Sequence, residues 1–203
     1  MSEDPHRETR KPTNSCIRTF TGELFDFLHP ETSPISLVDT SHSLSLLCRF
    51  AGHCKKFYSV AEHAVRVSYA CAPESALWGL HHDDSESMCV DVPRPLKHLP
   101  GMETYRAHEK RAQAAFVVAL GLVPPDEPAD VKRADMRLLV TEQRDMLHNA
   151  MSDFEIKPLR NKIRPWPSWL ASRLYQLRHA ELMHWKLTWH DKLTLWWLKR
   201  TLL

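Results

Sequence analysis

The chain alternates between segments with apolar residues at helical spacing and short breaks rich in proline. Between Val60 and Cys71 apolar residues recur every three or four positions, directly after a capping box at Ser59–Glu62. The same pattern predicts helices at roughly 38–50, from 74 or 75 through the polar run that follows, and at 102–120, 130–150 and 168–178. There is no internal repeat and no convincing strand ladder, only a short extended piece within 19–28. The pattern predicts an all-α fold.

Breaks and composition shifts divide the chain. Pro93 and Pro95 predict an extended loop. The prolines at 124–125 predict a second break, and Gly121 predicts the end of the 102–120 helix. We expect a flexible segment at 1–18, a single helical domain at 19–179, and a separate amphipathic helix at 180–203.

The last helix carries an unusual apolar stripe. Leu182, Trp185, Trp189, Leu193 and Trp196 recur at intervals of three or four, so they share one face. We expect this face to pack on the parent domain or on a second subunit. Several cations accompany the stripe and leave open a role at a membrane surface: Lys186, Lys192, Lys199 and Arg200.

Composition narrows the class of protein. The 203 residues are 43% hydrophobic and 26% charged, which is typical of a soluble globular domain, and the net charge of +2 indicates no strong attraction to nucleic acid or membranes. The odd number of cysteines, five, and the lack of a C-x-x-C pair predict reduced thiols in a cytoplasmic protein. We find no signal peptide and no apolar run long enough to span a bilayer. The 13 histidines favour metal or acid/base chemistry.

One segment is polar where a helix should bury apolar side chains. The apolar run 76–80 continues directly into His81, His82, Asp83, Asp84 and, after Ser85, Glu86. Burying such a run is costly unless something compensates it, and a bound cation would do so because imidazole nitrogens and carboxylate oxygens are metal ligands. A helix that ends in solvent with charged residues explains the same pattern.

Two other helices offer further ligands. His63 borders the apolar face of its helix, and Asp135 lies on a buried stripe, four residues after Val131. His82 and Asp83 are about 100° apart around a helix axis and can approach one point. Each residue alone has an ordinary structural explanation, but together they form a set that suits one divalent cation with open coordination positions.

The order of these residues resembles the H…HD…D signature of the HD-domain phosphohydrolases. Five blocks carry the resemblance: RFAGH at 49–53, YSVAEH at 58–63, HDDSE at 82–86, DVPRPLK at 91–97 and ADMRLLVTE at 134–142. They are similar to a subfamily that contains bacterial 5′-deoxynucleotidases and phage dATP triphosphohydrolases. The resemblance covers roughly 36–150 and, more weakly, 19–179.

The resemblance implies a helical bundle with a metal site at its centre. It implies that His63, His82, Asp83 and Asp135 hold one divalent ion, and the mixed nitrogen and oxygen set does not choose among Mn, Co, Zn, Mg and Fe. The ion would polarise a phosphoryl oxygen and lower the pKa of a water molecule.

The resemblance also suggests roles for neighbouring side chains. Glu86 would orient or deprotonate the attacking water, and Asp91 would assist proton transfer or position the substrate. Arg49 and Lys97 are candidates to bind phosphate, and Phe50 to contact the sugar and base. Each residue also has a structural alternative. Glu86 would be an exposed charge near a helix end, Asp91 a helix cap and Phe50 an aromatic residue of the core.

Some positions depart from the subfamily. His81 doubles the histidine and leaves an alternative register open, although the spacing to Glu86 favours His82. Asp84 stands where a small residue is common, and would either add negative charge near the metal or face solvent. Val90 stands where glycine often precedes Asp91. We expect Lys55, Lys56 and Arg94 to be solvated surface charges.

These patterns predict a metal-dependent hydrolase of 2′-deoxynucleotides. We lean toward a triphosphohydrolase, with dATP suggested by the phage resemblance, because cations near the site would bind a phosphate tail. The alternative reaction releases phosphate from a 5′-monophosphate. An alternative of another class is a non-catalytic nucleotide-binding protein with a structural metal. We expect a homo-oligomer that binds neither nucleic acid nor membranes.

Overall fold

The structure, a computed structural model, describes residues 14–123, 126–148 and 155–202. Helices dominate these residues, which confirms the mostly helical fold. Their bounds are α1 Leu37–Leu46, α2 Val60–Ala70, α3 Ala76–His81, α4 Glu86–Cys89, α5 Arg94–Lys97, α6 Glu103–Ala119, α7 Ala129–Met146, α8 Ser168–Leu182 and α9 Trp189–Leu202. Three predicted features lie outside the described residues: the lead-in as far as 13, the break at 124–125 and the end of the 130–150 helix at 149–150.

A small hairpin precedes the helices. Strands β1, Cys16–Arg18, and β2, Leu24–Asp26, pair antiparallel around a turn at which Gly22 has a φ of 92°. The strand pair is a correction to the sequence analysis, and β1 lies within the segment expected to be flexible. Three-residue strands are too short to show a recognisable alternation of apolar and polar residues.

Helix α2 lies at the centre of the fold and packs against α1, α3, α7 and α8. It begins as predicted, because Ser59 Oγ accepts a hydrogen bond from the Glu62 N–H at 3.2 Å. The other half of the capping box is replaced by longer-range contacts. The buried Glu62 carboxylate accepts from Arg66 at 2.7 Å and from the Trp166 N–H at 2.7 Å, and so ties α2 to the segment before α8.

Helices α2 and α3 approach closely at Gly79. A methyl group at this position would lie 2.6 Å from Cys71 Sγ and 3.2 Å from Ser68 Cα. The contact between the two helices therefore leaves no room for a side chain.

The C-terminal helix expected over 180–203 is interrupted, because α8 ends at Leu182 and α9 begins at Trp189, with the Trp185 ring between them 4.9 Å from the ring of His179. Leu195, Leu198 and Leu202 of α9 are buried in the core beside α2 and α8, whereas Trp189 and Trp196 are more than half exposed. The α9 part of the stripe therefore does not pack on the parent domain, because the leucines at spacings of three and four supply its inward face instead, whereas Leu182 of α8 does pack against the same core. A second subunit or a membrane surface as its partner stays a prediction.

The proline-rich loop also differs from expectation. Instead of running extended, it forms the single helical turn α5, with Pro95 in the first turn, where a missing N–H is tolerated. Within the part of the chain that is described, every helix is too short or too polar to cross a bilayer.

Candidate metal centre

Three elements bring the predicted ligands together. His63 comes from α2, Asp135 from α7, and His82 and Asp83 from the turn at 82–85 that joins α3 to α4, hereafter the ligand turn. His63 Nε2 lies 3.3 Å from His82 Nε2, 3.6 Å from Asp83 Oδ2 and 3.2 Å from Asp135 Oδ1. His82 Nε2 lies 3.1 Å from Asp83 Oδ2.

These separations suit a shared ion. Two ligand atoms that are each about 2.1 Å from a metal lie about 3.0 to 3.4 Å apart in octahedral or tetrahedral geometry. The ligand atoms of His63, His82 and Asp83 all lie within 4.8 Å of one another and form a possible metal-binding triad. Asp135 Oδ1 is 3.2 Å from His63 Nε2, at the edge of this triad.

Nδ1 of each imidazole is engaged in a hydrogen bond, so Nε2 is the nitrogen that can act as a ligand. His63 Nδ1 lies 2.7 Å from Glu142 Oε1, and His82 Nδ1 lies 3.0 Å from the Gly79 carbonyl oxygen. Both acceptors require the proton to sit on Nδ1, so in neutral rings the lone pair is on Nε2. Each ring would therefore offer its Nε2 lone pair to a metal once Nε2 carries no proton.

Glu142 is a residue that the sequence reasoning missed. Its side chain is fully buried, and besides His63 it accepts from the Arg49 guanidinium at 3.1 Å. The available signal was its position seven residues after Asp135, which places both carboxylates on one face of α7.

The electrostatics of the cluster favour a positive charge at its centre. Burial alone would lower the pKa of His82, but Asp83 and Asp135 raise it to about 10. Burial alone would raise the pKa of Asp83, but His82, His63 and Arg49 hold it far below its usual range. The carboxylates thus keep a proton on His82, and a divalent cation could take over that positive charge.

Glu86 and Asp91 belong to the same electrostatic cluster. Burial, followed by Asp83 and Asp91, raises the pKa of Glu86 well above its usual value. Oε2 of Glu86 is buried without a hydrogen-bond partner among the described residues. Burial also raises the pKa of Asp91, with Arg49 opposing and Asp83 adding to the shift. Both carboxyl groups can therefore hold or accept a proton beside the predicted ligands.

Arg49 and Phe50 lie at the edge of the cluster. Arg49 is buried, with one guanidinium nitrogen 3.9 Å from Asp83 Oδ2. Phe50 is half-buried, and its ring centroid is 5.5 Å from the Arg49 guanidinium carbon. Both Phe50 and Ala51 have φ near 50°, in the left-handed region that non-glycine residues rarely adopt. The turn that presents Arg49 is therefore strained.

Lys97 is held by carboxylates. Its Nζ lies 2.5 Å from Glu109 Oε1 and 3.4 Å from Glu86 Oε1. Burial would lower the pKa of Lys97, but these two partners raise it. Lys97 thus lies next to Glu86, but its charge is already paired with the carboxylates of Glu109 and Glu86. The expected surface cations Lys55, Lys56 and Arg94 are exposed.

The doubled histidine and the extra aspartate have a different role from either expectation. Asp84 is fully buried and accepts hydrogen bonds from His81 Nδ1, at 2.7 Å, and from the Tyr175 hydroxyl of α8. It neither faces solvent nor joins the triad, because the turn directs it to the opposite side. His81 contacts α8 as well, which leaves His82 as the ligand candidate of the two.

No protein-family model matches the chain. The chain is 42% identical over 132 residues to the uncharacterized protein YfdR of Escherichia coli strain K12, an alignment that spans 65% of this chain and 72% of YfdR. His63, His82 and Asp83 thus form the candidate metal centre of a protein that belongs to the same family as YfdR.

Proposed function

We propose that the chain is a metal-dependent phosphohydrolase of the HD-domain type that acts on 2′-deoxynucleotides. The observation that carries this proposal is the convergence of His63, His82 and Asp83 ligand atoms within 4.8 Å, beside Asp135. An ion bound there would polarise the phosphoryl group and acidify the attacking water. The imidazole tautomers and the negative charge of the cluster support the fit of a divalent cation.

Glu86 is the proposed proton acceptor of the reaction. It follows Asp83 by three residues, its carboxyl group is buried, and its Oε2 lacks a partner within the described residues. A water molecule could therefore occupy that oxygen without displacing another contact. The raised pKa suits a group that takes a proton from water and returns it to a leaving oxygen. Asp91 would assist in this transfer.

Arg49 is the proposed phosphate ligand. Its guanidinium lies at the edge of the metal cluster, and Nε has no hydrogen-bond partner among the residues described. A guanidinium beside a metal site can bind phosphate oxygens through several donors. The adjacent Phe50 ring offers an apolar surface for a deoxyribose.

The number of available cations bears on the choice between triphosphate and monophosphate. The expectation of a triphosphohydrolase rested on Arg49 and Lys97, with Lys55 or Lys56. Lys97 is paired with Glu109 and Glu86, which favours the second candidate function, a 5′-deoxynucleotidase that needs fewer cations. A triphosphate would have to draw Lys97 away from Glu109.

A product-resolved assay tests the proposal. Purified protein would be incubated with each deoxynucleoside mono- and triphosphate and with Mn, Co, Zn, Mg or Fe(II), and the products separated by chromatography. Deoxynucleoside with phosphate identifies the nucleotidase, and deoxynucleoside with intact triphosphate identifies the triphosphohydrolase. A metal-loaded protein that cleaves none of them would overturn the proposal and favour the non-catalytic alternative.

A further inference from the structure

The ligand turn is short and carries two adjacent metal-ligand candidates, so its shape decides whether both reach one ion. It lies between α3 and α4 and is closed by tight backbone bonds, with the Glu86 N–H donating to the Asp83 carbonyl at 3.0 Å. His82 and Asp83 face the cluster. The residues on either side, His81 and Asp84, are fully buried and face α8.

One carboxamide from α6 spans this turn. Gln113 Nε2 donates to the His81 carbonyl oxygen at 2.8 Å, and Gln113 Oε1 accepts from the Ser85 N–H at 3.0 Å. The two backbone groups are four residues apart and enclose the ligand pair. The amide of glutamine suits both contacts because it has a donor and an acceptor side by side.

A buried network holds the turn from the other side. Tyr175 donates to one oxygen of Asp84, and His81 Nδ1–H donates to the other at 2.7 Å. His81 Nε2 lies 2.8 Å from Nδ1 of His179, so a chain of hydrogen bonds links Asp84 through His81 to His179 of α8. Every polar side-chain atom of His81 and Asp84 therefore has a partner, as a rigid buried network requires.

We propose that Gln113 is a positioning residue that sets the shape of the ligand turn, with Tyr175 as its counterpart on the opposite side. The carboxamide fixes the distance between the start and the end of the turn. It thereby holds the His82 imidazole and the Asp83 carboxylate at the 3.1 Å separation that a common ion needs. The metal part of this inference rests on the proposed function, whereas the restraint of the turn does not.

Hydrogen-bond partners that hold a metal ligand in place matter because ordering a mobile ligand when the metal binds lowers the affinity for the metal. Removing an outer partner of a metal ligand typically weakens metal binding about 10- to 100-fold. Gln113 touches the backbone on both sides of the ligands and not the ligands themselves. Its loss should therefore act through the geometry of the turn and leave the ligand side chains intact.

The test compares Gln113→Leu with Gln176→Leu. Gln176 is a glutamine on α8 whose amide bonds Ser41 Oγ at 2.8 Å, away from the ligand turn, so it controls for losing a partly buried carboxamide. Two quantities are measured: amide hydrogen exchange of residues 81–86 by NMR, and Mn²⁺ affinity by titration calorimetry.

We expect Gln113→Leu to speed exchange of the Ser85 amide at least about tenfold and to weaken Mn²⁺ binding about tenfold or more, with Gln176→Leu close to wild type. Tyr175→Phe should speed exchange in the same segment. If Gln113→Leu does not fold, Gln113→Met replaces it, since methionine has a similar length and lacks both the acceptor for Ser85 and the donor to His81.

The outcomes separate the two proposals. Equal exchange in the wild type and the Gln113 variants would overturn the positioning role, whether or not metal binds. Faster exchange with unchanged Mn²⁺ affinity would show a structural restraint only and would also overturn it. A wild-type protein that binds no divalent ion would overturn the proposed function, while the exchange data would still decide whether Gln113 restrains the turn.

Discussion

His63 Nδ1 lies 2.7 Å from Oε1 of Glu142, a carboxylate with no exposed surface. The contact fixes the proton of His63 on Nδ1 and turns Nε2 toward His82 and Asp135. Glu142 also neutralises the buried guanidinium of Arg49. One carboxylate thus orients a ligand candidate and compensates the positive charge next to it.

Replacing Glu142 should separate these two effects. In Glu142→Ala we expect the affinity for Mn²⁺ to fall about 10- to 100-fold, because His63 loses its fixed tautomer. The free energy of unfolding should fall by about 3 to 5 kcal/mol, because the buried Arg49 loses its 3.1 Å ion pair and keeps only the 3.9 Å contact with Asp83. Calorimetry and urea denaturation measure the two. Glu142→Gln keeps an acceptor for His63 and should retain more affinity than the alanine variant; a larger loss in the glutamine variant would contradict the tautomer argument.

Substituting Asp83 should remove both metal binding and turnover, whereas substituting Glu86 should remove turnover alone. Asp83→Ala deletes a ligand of the triad, so we expect neither bound metal nor turnover. Glu86→Gln leaves the triad intact, so it should bind metal normally and lose about 100-fold or more in kcat, as expected for a proton-transfer group. Elemental analysis and the product-resolved assay measure both, and the exposed Glu74→Ala serves as control. Equal metal content in Asp83→Ala and the wild type would exclude Asp83 as a ligand.

Glu109 should control the preference between mono- and triphosphates. Glu109→Gln removes the 2.5 Å ion pair of Lys97 and leaves only the longer 3.4 Å contact with Glu86, so the lysine can turn more easily toward a phosphate tail. We expect kcat/KM for a triphosphate to rise about fivefold relative to the monophosphate, a difference of about 1 kcal/mol. Glu103→Gln, on the same helix and paired with Arg106 at the surface, should leave the ratio unchanged. An unchanged ratio in both variants would rule out Lys97 as a phosphate ligand.

Val90 is held in a strained conformation directly before Asp91. Its φ of 69° and ψ of 149° belong to a region that is normal for glycine and costly for a β-branched residue. We expect Val90→Gly to raise the free energy of unfolding by about 1 kcal/mol, because the strain relieved exceeds the added chain entropy. Urea denaturation measures the change. Val118→Gly, at an exposed position inside α6, should instead destabilise by about 0.5 kcal/mol.

His179 should make stability fall in weak acid. Burial, followed by the neighbouring His81, lowers the pKa of His179 from 6.5 to about 4. Between these values the unfolded chain binds a proton that the folded chain does not. Its contribution to stability is therefore complete above 6.5 and is lost as the pH falls toward 4.

A variant isolates this contribution from that of other titrating groups. His179→Gln keeps a donor for His81 and cannot titrate. Denaturation should show a smaller loss of stability in the variant than in the wild type between about pH 7 and about pH 4. Parallel curves for the two proteins would mean that His179 already carries its proton in the folded state.

The sequence predicted the parts of the site that depend on local pattern. The cap at Ser59, the helical spacing around His63 and the position of Asp135 on its stripe are short-range features, and they place these two ligand candidates as expected. The convergence of His63, His82 and Asp83 was expected from a resemblance to known proteins rather than from spacing alone.

The remaining features depend on contacts between distant segments. The pairing of Lys97 with Glu109 and the burial of Asp84 against Tyr175 arise from how α6 and α8 pack, which no local pattern encodes. Helix α9 is a further case in which local pattern does not determine packing. Both the tryptophans and the leucines of α9 recur at helical spacing, and only the packed domain decides that the leucines face inward.

Gly79 limits the distance between two candidate ligands. The imidazoles of His63 and His82 come from opposite sides of the contact between α2 and α3, and Gly79 also supplies the carbonyl that orients His82. A Cβ at position 79 would lie 2.6 Å from Cys71 Sγ and 3.2 Å from Ser68 Cα, so an alanine there should displace α3 from α2 and widen the 3.3 Å separation of the two Nε2 atoms. The absence of a side chain at this one helix contact therefore helps to set how far apart the two imidazoles stand, and with it the size of ion that they would hold together.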